Sequence, residues 1–351
     1  MAEFDCLIVG QGLAGSVLAV QLVARGWKVL AIDREEEVTS SKVAAGLVTP
    51  ITGKNLAMGD SVPERLGVAT RFYTAAERVL GSQFWYEKKI LRLFRDESEG
   101  VVWADRLAER PDYRQFVSQP KITPGTAGKG IHDDHGGFEM DGGGYLDVPV
   151  FLRSVTRMLK TNGGYRAGEV GAADIDAGAD GVVWNDVRAK FAVFCQGYQG
   201  NQNPFFEWVP FKSAKGEILD LEIPGFHQKR ILNSGGWLLP VGGGLFRAGS
   251  TYSWDPLDTE PTRGGERRIG RNVRRLVEPR YRVIGHRAAV RPIIHASRVL
   301  MGRHPAHERV VFFNGLGSKG VLNAPFYADM LAAHLMESTP LEEEVDLRKN
   351  F

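Results

Sequence analysis

Glycines at positions 10, 12 and 15 form the spacing G-x-G-x-x-G, and an acidic residue, Asp33, stands 18 residues beyond the last of them. That pattern suits a dinucleotide. The first glycine permits a tight turn, the second lets backbone approach a pyrophosphate, and the third lets a helix pack closely on a strand. Leu13 and Ala14, between the second and third glycines, are counted with them as cofactor-binding residues, and the N-terminus of the following helix meets the phosphate charge. Asp33 can accept hydrogen bonds from ribose hydroxyls, with Arg34 beside it. The motif alone does not separate NAD from FAD, because both use the same cradle. A second polar group, His132-Asp133-Asp134-His135, resembles a metal cluster by composition only. Adjacent residues in a glycine-flanked loop rarely converge on one ion, and neither zinc nor calcium spacing is met. We expect a solvated loop there and no metal.

The elements around the glycines support the first reading. Residues Asp5 to Gly10 read as a buried strand, Ser16 to Arg25 as a helix stopped by Gly26, and Trp27 to Ile32 as a second strand ending at Asp33. This is a βαβ unit. A helix is expected within Val62 to Leu80, with Phe72, Ala76 and Val79 on one face. His132 to Gly144 reads as a loop and Tyr145 to Lys160 as a helix behind Pro149. The apolar run Phe191 to Cys195 is expected to be a strand, and Phe211 to Thr251 a set of antiparallel hairpins. Glu266 to Val277 reads as a helix with Ile269, Val273 and Leu276 on its apolar side. Val310 to Phe313 then makes a strand, Asn314 to Gly320 a second glycine loop, and Pro325 to Met336 a closing helix.

Composition narrows the class. The chain has 351 residues, 43% hydrophobic and 25% charged, enough to bury a large core and to hold two domains. Forty-four lysines and arginines against 42 acidic residues leave a net charge of +2, too small for a dedicated nucleic-acid or membrane-surface protein. Only Cys6 and Cys195 are present, which excludes a multi-bridge secreted scaffold and fits a reducing cytoplasm. The first apolar run carries Glu3 and Asp5 where a signal peptide needs positive charge. No stretch reaches the roughly 18 to 20 apolar residues of a membrane span.

Four further segments resemble the D-amino-acid oxidase and glycine oxidase superfamily of FAD-dependent amine oxidoreductases. Ser40 to Pro50 (SSKVAAGLVTP) is similar to the family's small-residue loop beside the flavin, which implies contacts from Ser41, Ala44, Ala45 and Gly46. Phe194 to Tyr198 resembles the later strand and turn beneath the dinucleotide, with Gly197 as its contact. Lys215-Gly216-Glu217, with Leu238 to Pro240 and Gly249 to Thr251, looks like the substrate-domain hairpins. The most specific match is Arg291-Pro292, Gly302 and Asn314-Gly315-Leu316-Gly317-Ser318-Lys319-Gly320. The resemblance implies that Arg291 pairs with a substrate carboxylate. It also implies that Gly315, Gly317, Ser318, Lys319, Gly320 and Val321 border the flavin. Both fit the chemistry, since forked guanidinium donors match a carboxylate and a helix N-terminus favours the anionic reduced flavin. The chain departs from the family between Arg291 and Gly302, with Ala296 and Val299 in place of an aspartate and a proline.

The resulting expectation is an α/β plus β protein: a Rossmann-like FAD-binding domain from residues 1–75, 141–205 and 286–351, and a mainly antiparallel-sheet substrate domain from 76–140 and 206–285. FAD is expected to be noncovalent, because neither cysteine nor an early histidine stands where a flavin link would form. The expected reaction is oxidation of the C–N bond of an amino acid or related amine by hydride transfer to flavin N5. Arg291 and Lys319 are the catalytic candidates. Arg287 is the substitute anchor, and Tyr252 and Trp254 are read as core aromatics in preference to pocket walls. The electron acceptor, oxygen or another, is unspecified. Alternatives are a flavin dehydrogenase feeding a non-oxygen acceptor and a noncatalytic flavin-bound module with an RNA or protein partner. Nucleic acid is the less favoured partner, since the arginine-rich helix 266–277 reads as an ordinary solvated face.

Overall fold

A computed structural model describes residues 1–350 and contains two eight-stranded sheets and one of three strands. In the first sheet, Ala2–Val9 lies between Val187–Phe194 and Val29–Asp33, parallel to both, with Tyr165–Ala167 beyond the latter. Val310–Asn314 runs parallel to the end of Val187–Phe194, pairing Ala192 with Val310 and Phe194 with Phe312. Successive residues of the first strand enter different cores: Cys6 and Ile8 on one face, Leu7 and Val9 on the other. Both faces are covered, which is why the segment reads as a continuous apolar run.

The helices Leu13–Ala24, Val148–Thr161 and Gly320–Glu337 belong to this half. The closing helix starts earlier than its sequence suggests and contains Pro325. Proline has no N–H to give the carbonyl four residues back. The Tyr73 hydroxyl donates to that carbonyl, Val321 O, at 3.0 Å instead. Tyr73 lies in the helix Val62–Leu80, whose buried residues are Val62, Leu66, Ala69, Tyr73, Ala76 and Leu80. That stripe at steps of three and four leaves Val79, expected on the buried face, 77% exposed.

The second sheet runs in the order Arg282–Arg291, Ala214–Glu222, Leu245–Gly249, Trp237–Gly242, Ile231–Asn233, Ile90–Leu93, Gly137–Met140, Val117–Ile122. All but one of its pairings are antiparallel, Ile231–Asn233 running parallel to Ile90–Leu93. Arg282–Arg291 pairs with Ala214–Glu222 along its length, so the expected domain boundary at 286 falls inside a strand of this sheet. Two strands, Gly137–Met140 and Gly144–Leu146, occupy the region expected to be a loop and the start of a helix. Leu219 and Leu221 face the helix Arg263–Leu276, while Ile218 and Leu239 join the central core on the opposite side. Among the described residues no helix is long and apolar enough to cross a membrane.

Candidate active site

The ends of the first sheet and the inner face of the second enclose a cavity of about 650 Å³. At one end, Gly10 takes φ +98°, and a Cβ there would lie 2.7 Å from Cys195 O. Only glycine fits that crossing. Gly12 precedes the helix Leu13–Ala24 and supplies no side-chain cap, so the N–H groups of Ala14 and Gly15 in its first turn remain available to a ligand. Ser41 reaches in to accept a hydrogen bond from the Leu13 N–H at 3.0 Å, leaving its own O–H proton free to donate. Asp33 is held by two backbone donors, Gln11 N–H at 2.7 Å and Glu35 N–H at 2.8 Å, one on each carboxylate oxygen. Arg34 is fixed between Glu36 and Glu169 at 2.8 and 2.9 Å. A glycine cradle, an open helix N-terminus and an oriented carboxylate fit the pyrophosphate and ribose of FAD.

The second glycine loop closes the other side of this cradle. The buried Asn314 donates to Gly197 O at 2.8 Å and accepts from the Gly315 N–H at 2.8 Å, tying the two chain turns together. Gly317 N–H donates to Pro292 O at 3.2 Å, which sets this loop against the residue following Arg291. No side chain caps the helix Gly320–Glu337, and Gly320 and Val321 line the cavity at its start. Its positive end therefore faces the space in which a flavin would gain negative charge.

At the substrate end, Arg291 is the last residue of its strand and lies opposite Ala214. Its guanidinium stacks over the Tyr252 ring at 4.2 Å and donates to Thr251 O at 3.1 Å. A side chain at Gly216 would collide with it, so that glycine is the slot in which the guanidinium lies. Burial pushes the Arg291 pKa below its ordinary value, with Tyr252 opposing the shift. Among the described residues, no carboxylate pairs with it. Tyr252 also contacts the Ser318 hydroxyl, joining the anchor to the second glycine loop. Ile218, Trp237, Leu257 and Ala289 complete the wall around this end.

Most residues selected from sequence meet at this cavity. Gly10, Gly12, Leu13, Ala14, Asp33, Arg34, Ser41, Ala44, Ala45, Gly46, Gly197, Arg291, Gly317, Ser318, Gly320 and Val321 line it. Gly15 and Gly315 do not: a Cβ on Gly15 would strike Gly10 O, and one on Gly315 would strike Arg298 O, so both serve close backbone packing. Lys319 is exposed and outside the lining. It ends a short 3₁₀ turn, where successive side chains diverge by about 120°.

Arg287 is engaged elsewhere, with two hydrogen bonds to Asp220 at 2.9 and 2.8 Å. Tyr252 and Trp254 are 40% and 66% exposed and are not core; Tyr252 lines the cavity. Asp133 is buried, with its carboxylate accepting the Ala127 N–H at 2.7 Å, so this one member of the polar loop is structural. Among the described residues no three potential ligands gather around a metal position. Sequence reasoning passed over Gln11, Asn314 and Gly216 as site residues. All three lie inside segments singled out in the sequence, but their contacts depend on residues distant in the chain.

Residues 5–334 match the family model described as FAD dependent oxidoreductase. Glycine oxidase from Geobacillus kaustophilus superposes with a TM-score of 0.80 at 18% identity, covering 97% of this chain and 96% of that one. Iminodiacetate oxidase from Chelativorans sp. BNC1 does so with 0.80 at 20%, covering 97% and 98%. Among curated sequences, the bifunctional protein MnmC of tRNA 5-methylaminomethyl-2-thiouridine biosynthesis from Paraburkholderia xenovorans (strain LB400) is 23% identical over 279 residues. That alignment covers 73% of this chain and only 41% of the relative. The glycine cradle and the match across nearly the whole chain agree: the protein belongs to the family of FAD dependent oxidoreductases.

Proposed function

We propose that the chain oxidises the C–N bond of an amine that carries a carboxylate on the reacting carbon, with Arg291 as the carboxylate anchor. The observation that carries this reading is a half-buried guanidinium, oriented by Tyr252, Thr251 and Gly216 and left without a protein carboxylate, in the same cavity as the dinucleotide cradle. A partly desolvated cation without a partner gains from an anion that completes it. Glycine and iminodiacetate, the compounds named for the two structural neighbours, both place a carboxylate one carbon from nitrogen.

In this reading FAD is held noncovalently by the cavity-lining residues above and supplies the two-electron oxidant. Arg291 grips both carboxylate oxygens through its forked donors, and Tyr252 fixes the plane of the fork. Ile218, Trp237 and Leu257 shield the reacting carbon from water. No acid or base is required when the amine binds neutral: the carbon's hydrogen would pass as hydride to that two-electron oxidant, the nitrogen lone pair completes the C=N bond and the product is an iminium. Water then hydrolyses the iminium to an oxo acid and releases ammonia or the remaining amine. Burial raises both thiol pKa values, at Cys6 and Cys195, so neither is a nucleophile for a flavin link. Two free buried cysteines suit a reducing cytoplasm.

A second reading, favoured by the MnmC match, takes an amine borne on a tRNA base. The test is an anaerobic spectrum of the purified protein with glycine, sarcosine, iminodiacetate, proline and D-amino acids in turn. Bleaching by carboxylated amines, lost in Arg291→Ala, supports the first reading. Bleaching only by a modified tRNA supports the second, and oxygen uptake against an artificial acceptor separates oxidase from dehydrogenase.

A further inference from the structure

We infer that the exposed face of the helix Arg263–Leu276 is a docking surface for the phosphodiester backbone of a polynucleotide. The helix carries six arginines, at 263, 267, 268, 271, 274 and 275, and one glutamate, Glu266. The whole chain has a net charge of only +2, so the rest of the molecule is net acidic and the positive charge is concentrated here. At about 100° per residue, the six arginines fall within an arc of about 140°. Ile269, Val273 and Leu276 lie on the opposite side and are buried on the second sheet.

Clustering sets this face apart. Several other surface arginines are matched, among them Arg25 with Asp329, Arg34 with Glu36 and Glu169, Arg110 with Asp60 and Asp112, Arg166 with Asp186 and Arg348 with Glu308, and unpaired ones such as Arg71, Arg114 and Arg188 stand singly on separate elements. Among the described residues, none of the six helix arginines has a carboxylate within 4.0 Å; Arg274 has only the Tyr281 hydroxyl, at 3.0 Å. Like charges crowded on three to four turns repel one another, and their alignment gains energy only when an extended anion lies along them. Arg263, Arg267, Arg271 and Arg274 form a row with steps of about 6 Å or less along the axis at 1.5 Å per residue. A forked guanidinium matches phosphate oxygens. Since the apolar face is fully occupied by the core, the helix has nothing to insert into a lipid surface, which favours a polynucleotide over a membrane.

This surface is tied to the sheet that carries Arg291. Thr262, which caps the helix through Gly265 N–H at 2.9 Å, is held by the buried Glu217 through its own N–H at 2.8 Å and hydroxyl at 2.9 Å. Glu217 follows Gly216, the slot for Arg291, and residues 251–262 run from the cavity mouth to the helix. The inference does not depend on which amine is oxidised.

The test is equilibrium binding of the FAD-loaded protein to a 24-nucleotide RNA hairpin, the matching DNA hairpin and vesicles containing 30% anionic lipid. Arg263→Gln/Arg267→Gln/Arg271→Gln/Arg274→Gln is the paired variant; flavin content and turnover of a free amine serve as its folding control. We expect hairpin binding that weakens roughly 50-fold to 150-fold between 50 and 200 mM salt, for about four phosphate contacts. The variant should lose at least tenfold in affinity and most of the salt slope, with flavin content and turnover unchanged. RNA alone or both hairpins binding would each support the proposal and tell RNA from a general backbone. No hairpin binding, binding unchanged in the variant, or binding to vesicles alone would overturn it.

Discussion

Arg291 lies in the cavity wall against an aromatic ring, a backbone carbonyl and a glycine, with no acid beside it. Replacing it by alanine should lower kcat/KM for a carboxylated amine roughly 100-fold to 1,000-fold, mostly through KM, the loss of two charge-assisted hydrogen bonds. Lysine should restore only part, since one ammonium cannot match both oxygens. Gly216→Ala provides an independent check. Its methyl displaces the guanidinium without touching the dinucleotide end, so steady-state kinetics should show a raised KM with flavin content near that of the parent. The thiols give a different readout. Burial raises the pKa of Cys195 and of Cys6, so a thiol reagent at pH 8 should find neither in the native protein and both after denaturation. Acid precipitation should release all the flavin.

Individual elements were legible where chemistry was local. The βαβ unit was readable because a buried parallel strand, a glycine turn and an acidic strand end are adjacent in sequence. The apolar side of the helix Arg263–Leu276 was readable from its 3.6-residue period. The burial of Tyr73 was not, because it depends on a carbonyl that Pro325 leaves unpaired some 250 residues away; the sequence supplies Phe72 and Val79 as equally apolar choices. Tyr73→Phe should therefore destabilise the protein by about 1 to 3 kcal/mol, the cost of an unsatisfied buried carbonyl, measurable in urea unfolding. Arg291 leads Arg287 as anchor through its place in the Arg-Pro match, with Arg287, four residues earlier, as the substitute. What becomes of Arg287 follows from the sheet register, which sets Asp220 beside it and leaves Arg291 at the strand end.

At the scale of the molecule, two sheets complete one cavity, and neither half alone contains both the cradle and the anchor. The segment 251–262 joins them and is fixed by the ion pair between the buried Lys215 and Asp258. That pair holds the Asp258 carboxyl below its ordinary range. A depressed carboxylate stabilises the fold above its unfolded pKa of about 3.9 and loses that contribution as pH falls through the lower folded value. The segment should thus stay anchored through neutral pH and loosen in acid, and Asp258→Asn should lower the Tm at pH 7 far more than at pH 3. The central claim, that this cavity oxidises a carboxylated amine, is tested most directly by the flavin absorbance band during anaerobic addition of such amines. The account predicts stoichiometric bleaching by at least one of them and markedly weaker bleaching in Arg291→Ala. A flavin that stays oxidised throughout the series, or one that Arg291→Ala bleaches equally well at the same concentrations, would contradict it.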